Sequence, residues 1–100
     1  MIAEQVKFDL DRVSEYCRQH NIRRLAVFGS AVHGDMRPDS DLDLLIEFKS
    51  PVGLFAMVEM EDEMKNLFPS VPKVDLVTKN SLSKYFRDEV IKEAEVVYAE

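Results

Sequence analysis

The sequence predicts an α/β fold: a single domain over residues 1–100, with a small mixed β-sheet of about four strands and helices packed against it. Two observations carry this. Short apolar runs of strand length, bounded by Gly, Ser, Pro or Asn, alternate with longer segments whose apolar residues recur every three or four positions. The composition, 46% hydrophobic and 32% charged, is that of a folded chain, which excludes wholesale disorder.

Ile2, Val6, Leu10, Val13 and Cys17 predict an amphipathic helix from Ala3 to His20, closed by Asn21 in the left-handed region. Cys17 lies on its apolar stripe and is read as a small core residue, with Tyr16 packing beside it and His20 meeting the helix dipole. Leu25–Phe28 is the first strand, entered through the solvated pair Arg23 and Arg24. Ala31–His33 supplies one helical turn that Gly34 ends, and Pro38-Asp39-Ser40 is a turn capped by Asp39. Leu42–Phe48 is the second strand. Val52–Phe68 reads as a long helix burying Leu54, Met57, Val58, Met64, Leu67 and Phe68, with Met60 off that stripe as a candidate partner contact. Pro69 and Pro72 break it, and Lys73–Thr78 forms a third strand. Ser81–Ala94 is a last helix with Leu82, Tyr85, Phe86, Val90 and Ile91 inward, followed by a strand at Glu95–Tyr98.

The chemistry sits between the first two strands. Asp41 and Asp43 stand at the mouth of a buried strand, and residues two apart share one face. Two carboxylates side by side resist joint ionisation unless a divalent cation lies between them, and an all-oxygen donor set suits Mg²⁺ or Mn²⁺ better than zinc. Upstream, Gly29 lets the backbone turn sharply after a strand, and Ser30 opens a short helix whose free amides attract phosphate. A triphosphate held there and bridged by metal to the aspartates is set up for attack at its α-phosphorus. Arg37, in the intervening loop, is a candidate phosphate contact. His33 could make a pH-dependent one.

Gly29-Ser30, ten residues, then Asp41-x-Asp43, with strands on both sides, resembles the DNA polymerase β-type nucleotidyltransferase superfamily, and at this size its minimal nucleotidyltransferase (MNT) branch. The likeness runs from Leu25 to Val77. It implies the nucleotidyltransferase fold, two Mg²⁺ ions, ATP as substrate, and Asp75 on the third strand as a third catalytic and metal-binding carboxylate. It also implies transfer of AMP to a hydroxyl, with tyrosine of a HEPN-domain ribonuclease toxin as the acceptor, so that this chain is an antitoxin in a prokaryotic hetero-oligomer. The family often has an arginine where His33 stands, so here a permanent cationic contact to phosphate is replaced by one that depends on pH.

Composition narrows the alternatives. The net charge of −6 disfavours nucleic acid as a direct substrate, because such binding needs basic surface. One cysteine forms no internal disulfide, and no apolar run reaches the length of a membrane span or signal-peptide core, so the expected location is cytoplasmic. A chain of this length is expected to lack a second domain for a small acceptor, which points to an acceptor that brings its own docking surface. Two other readings remain open here: a non-catalytic module that masks its partner, and an antibiotic-type small-molecule nucleotidyltransferase.

Overall fold

The structure, a computed structural model, describes residues 1–100. Its elements are α1 (Leu10–Gln19), β1 (Ile22–Phe28), α2 (Ser30–His33), β2 (Leu42–Phe48), α3 (Leu54–Met64), β3 (Val74–Val77), a 3-10 turn (Lys79–Ser81), α4 (Arg87–Glu93) and β4 (Glu95–Ala99). The strands form one mixed sheet in the order β3-β2-β1-β4, with β1 antiparallel to β2 and β4, and β2 parallel to β3. No helix is long and apolar enough to cross a membrane.

Alternation along the strands gives the sheet two unlike faces. Leu25 and Val27 pair with Ile46 and Leu44, and with Leu42, Val74 and Leu76 they make the buried face. Val13 and Cys17 of α1, Met60 and Met64 of α3, and Phe68 beyond it join these strands in one core cluster. Burial pushes the Cys17 thiol up to about 12, so it is a core side chain and not a nucleophile. The opposite face carries Ala26, Phe28, Asp43, Leu45, Asp75 and Val77, with Ile91 and Ala94 near Ala26 and Leu45.

The structure departs from the sequence reading at several points, including β1, which starts at Ile22 and takes in Arg23 and Arg24, and α3, which spans only Leu54–Met64. The first helix starts at Leu10, not Ala3, because the Asp9 carboxylate accepts from the amides of Asp11 (2.9 Å) and Arg12 (3.3 Å) and so caps it. The preceding residues run irregularly across the core, where Phe8 meets Phe68 with ring centroids 5.4 Å apart and Val6 is buried. Second, α3 turns a different stripe inward: Met60 is 8% exposed and belongs to the core, whereas Leu54 (75%) and Val58 (55%) face solvent. Met57, Met60, Met64 and Leu67 follow an equally good helical spacing, and docking by the C-terminal half of the helix selects it. The expected partner contact at Met60 is therefore wrong. Third, the Ser81–Ala94 helix is broken. Ser83 bonds the backbone locally, accepting at Oγ from Tyr85 N (3.3 Å) and at its carbonyl from Phe86 N (3.2 Å), and this turn delays the helix to Arg87 and leaves Tyr85 exposed.

The buried and exposed positions of α3 and the turn after it make a direct test. Phe68→Ala should cost about 3–5 kcal/mol in urea unfolding, from lost burial and a residual cavity. Phe55→Ala, at a position 87% exposed, should change stability by less than about 0.5 kcal/mol.

Candidate active site

The site forms where β1 ends and β2 begins. Phe28 lies opposite Asp43 in the antiparallel register, so Gly29 emerges directly over the Asp43 side chain. Gly29 has φ 74° and ψ −145°, a conformation essentially reserved for glycine. A Cβ there would also overlap Asp43 Oδ2 and sit 3.3 Å from its Cγ. Backbone conformation and close approach both demand glycine at this position.

The turn leads into α2, which Gly34 closes in the left-handed region at φ 83°. The amides of Val32 and His33 bond to the Gly29 carbonyl at 3.0 and 3.1 Å. Those of Ser30 and Ala31 have no partner within the chain and are free for an anion.

Asp43 is directly paired in register with Asp75 of the parallel neighbour β3, and Asp41 precedes it by two residues. Burial first, then the charges of Asp75 and Asp41, push the Asp43 carboxyl above its ordinary range. Asp75 Oδ1 also lies 3.7 Å from Lys73 Nζ. Of the three aspartates predicted from sequence, Asp75 and Asp41 thus both act electrostatically on Asp43. No set of three His, Cys, Asp or Glu side chains is gathered closely enough to hold one ion in this conformation. The donors nevertheless fit a hard divalent cation in kind, since all are carboxylate oxygens and the repulsion that raises Asp43 is what such a cation relieves.

Other predicted residues fall outside this cluster. Arg37 is exposed in the α2–β2 loop, and its guanidinium forms no ion pair with any of the three aspartates. That loop is closed by Ser40, whose Oγ accepts from Arg37 N at 2.9 Å, and not by Asp39 as expected. His33 Nε2 pairs with the Glu93 carboxylate of α4, which raises the imidazole pKa. Glu93 was invisible to sequence reasoning: it is 60 positions from His33, on a helix whose start was itself misplaced.

A family model described as Polymerase beta, Nucleotidyltransferase matches residues 11–100. Protein adenylyltransferase MntA of Thermococcus cleftensis is 36% identical over 84 residues, covering 84% of this chain and 81% of that relative. Among solved structures, a toxin–antitoxin crystallised with AMP-PNP superposes with a TM-score of 0.72 at 19% identity, over 92% of this chain and 74% of that one. A tri-AMPylated Shewanella oneidensis HEPN toxin in complex with MNT antitoxin gives 0.64 at 17%, over 91% and 70%. At these identities the structural likeness is one of fold.

Because the native state raises the Asp43 pKa, ionising that carboxyl costs stability, and the cost grows as pH rises from the ordinary aspartate value through the raised one. Asp43→Asn should therefore be more stable than the parent at pH 7 in urea unfolding, with the difference shrinking toward pH values of about 4. His33 has the opposite relation to its charge: its bridge to Glu93 is complete below the ordinary histidine pKa and is lost as pH rises through the raised one. An NMR titration should place the His33 midpoint above 6.5 and lower it in Glu93→Gln.

Proposed function

This chain belongs to the polymerase β-type nucleotidyltransferase family, and from that premise we propose that it transfers AMP from ATP to a tyrosine hydroxyl of a HEPN ribonuclease toxin and thereby acts as its antitoxin. The observation that carries the reading is the register Phe28–Asp43–Asp75, which sets the Gly29–Ser30 turn beside the aspartates on one sheet face. The names of the relatives supply the acceptor class: a protein adenylyltransferase by sequence, and an AMPylated HEPN toxin bound to an MNT antitoxin by fold. AMP-PNP in the toxin–antitoxin of TM-score 0.72 supports ATP as the donor.

In this reading the free amides of Ser30 and Ala31 hold the outer phosphates, and Gly29 lets them approach the carboxylates. Asp41, Asp43 and Asp75 would hold Mg²⁺, which supplies neutralisation of phosphoryl charge. The acceptor oxygen attacks the α-phosphorus in line, the bond from that phosphorus to the α,β-bridging oxygen breaks, and pyrophosphate leaves. Asp75, half-exposed on β3, takes up the hydroxyl proton. Arg37, exposed in the α2–β2 loop, is proposed as a contact of the outer phosphates.

The test is intact-mass analysis of a co-expressed HEPN partner after incubation with Mg-ATP and this protein. AMP-sized increments should appear, and should vanish with Asp41→Ala/Asp43→Ala or when the metal is chelated. A partner that stays unmodified yet is inhibited equally by parent and double variant would replace this reading with simple masking.

A further inference from the structure

The outer face of α3 carries two kinds of side chain that nothing in the chain satisfies. Leu54, Phe55, Val58, Glu59 and Asp62 follow the spacing i, i+1, i+4, i+5 and i+8, so they share one side of the helix, turned away from the Met57–Met60–Met64 stripe that meets the core. The first half of this side is apolar, and Leu54, Phe55 and Val58 are all more than half exposed. Apolar residues exposed singly are ordinary, but neighbours grouped on one helix face mark a contact surface. The second half is acidic. α3 holds Glu59, Glu61, Asp62 and Glu63 and no basic residue. Glu61 accepts from the Leu76 amide and Glu63 from the Tyr16 hydroxyl, whereas Glu59 and Asp62 are neither hydrogen-bonded nor ion-paired within the chain.

Two grooves run along this acidic half and share Glu59 and Asp62. One, roughly 260 Å³, is lined by Glu59, Asp62, Glu63 and Asn66 and holds no cation. The other, roughly 400 Å³, is lined by Val58, Glu59, Glu61, Asp62, Lys65 and, on the β3 side, Lys73. This second groove leads toward the carboxylates, because Lys73 Nζ lies 3.7 Å from Asp75 Oδ1, on the strand next to Asp43. α3 itself packs on the core side of the sheet, opposite the face that bears Asp43 and Asp75. A body seated on α3 therefore reaches the margin of the site without touching Asp41, Asp43 or the Gly29–Ser30 turn.

We infer that this face is the docking surface for the acceptor protein, and that it takes the partner's basic, RNA-binding surface: apolar side chains against Leu54, Phe55 and Val58, and Lys or Arg side chains in the grooves beside Glu59 and Asp62. This rests on the antitoxin reading above and adds to it where, and by what chemistry, the partner is held. Charge decides the occupant. A ribonuclease needs basic surface to hold a polyanion, and an acidic face on a chain of net charge −6 is its complement. A second copy of this chain does not fit, because a two-fold contact on the stripe sets its carboxylates either against the same carboxylates or against Leu54 and Phe55. Docking there covers the partner's RNA-binding surface by contact, while the Lys73 end of the groove brings the partner to the edge of the site.

The experiment measures the Kd of the full chain for its separately purified HEPN partner by calorimetry, with AMP transfer read by intact mass on the same proteins. Leu54→Asp/Phe55→Asp should raise Kd by about thirtyfold or more, the loss expected for an aromatic anchor at the centre of an interface. Glu59→Lys/Asp62→Lys should raise it by roughly tenfold at low ionic strength, and that effect should shrink as salt is added. Val96→Asp, at an exposed apolar position on β4, should bind as the parent does, and so should Asp41→Ala/Asp43→Ala, which leaves the face untouched. A short oligouridylate should compete with this chain for the partner. Unchanged urea unfolding and AMP-PNP binding in the α3 variants separate lost docking from lost folding. Parent-like Kd in both α3 variants, or an oligouridylate that does not compete, overturns the docking inference, and AMP transfer by the parent then leaves the proposed function standing. Docking lost in the α3 variants, with no AMP transfer by the parent, overturns the transfer reaction and keeps the docking face. A parent that neither binds nor modifies the partner overturns both.

Discussion

The close approach of Gly29 to Asp43 is the constraint on which the site depends. It requires a glycine at positive φ, a strand that ends one residue earlier, and a facing strand whose register brings a carboxylate to that point. The register is held by the core, not by the site. Leu25 against Ile46 and Val27 against Leu44 are all buried, and a slip of one residue would put Asp43 into the apolar face and Leu44 into solvent. Hydrophobic burial on one face thus positions charge on the other.

This arrangement divides labour between the two sides of a thin sheet. The α1–α3 side carries nearly all of the buried side chains, while the site side is covered near Ala26 and Leu45 and left open toward Asp43 and Asp75. The open half-face leaves a half-buried carboxylate with two others acting on it. The resulting repulsion is a standing cost in the absence of a cation, and the core on the far side offsets it. α2 is held to the rest of the molecule partly through its backbone, by the Ala3 amide on the Ala31 carbonyl at 2.7 Å, and partly through His33 and Glu93. The Gly29–Ser30 turn is therefore tied to both the N-terminal segment and α4.

Much of this was legible in the chain. The limits of β2 follow from an apolar run bounded by Ser40-Asp41 and Ser50-Pro51, and the structure reproduces Leu42–Phe48. Asn21 was expected in the left-handed region and has φ 61°. Gly29 as a turn glycine, and Asp41 and Asp43 as two carboxylates at a strand entry, were readable because turn chemistry and strand alternation are local rules. The failures share the opposite character. Met60 and Val58 exchanged roles because two helical stripes were equally apolar and only docking could choose between them. Ser83 broke a helix through a local bond that periodicity does not register.

The sequence by itself determined the fold class and the family, since both are written in patterns along the chain: strand and helix periodicity, and the spacing from Gly29-Ser30 to Asp41-x-Asp43. Tertiary structure alone decided the strand register that sets Asp75, already named by the family resemblance, directly opposite Asp43, and which residues pair with no signal in the sequence: Glu93 on His33 and Glu61 on the amide of Leu76. The physical reason is that strand order and helix docking are set by the summed burial of the whole core, to which no single stretch of sequence holds the key.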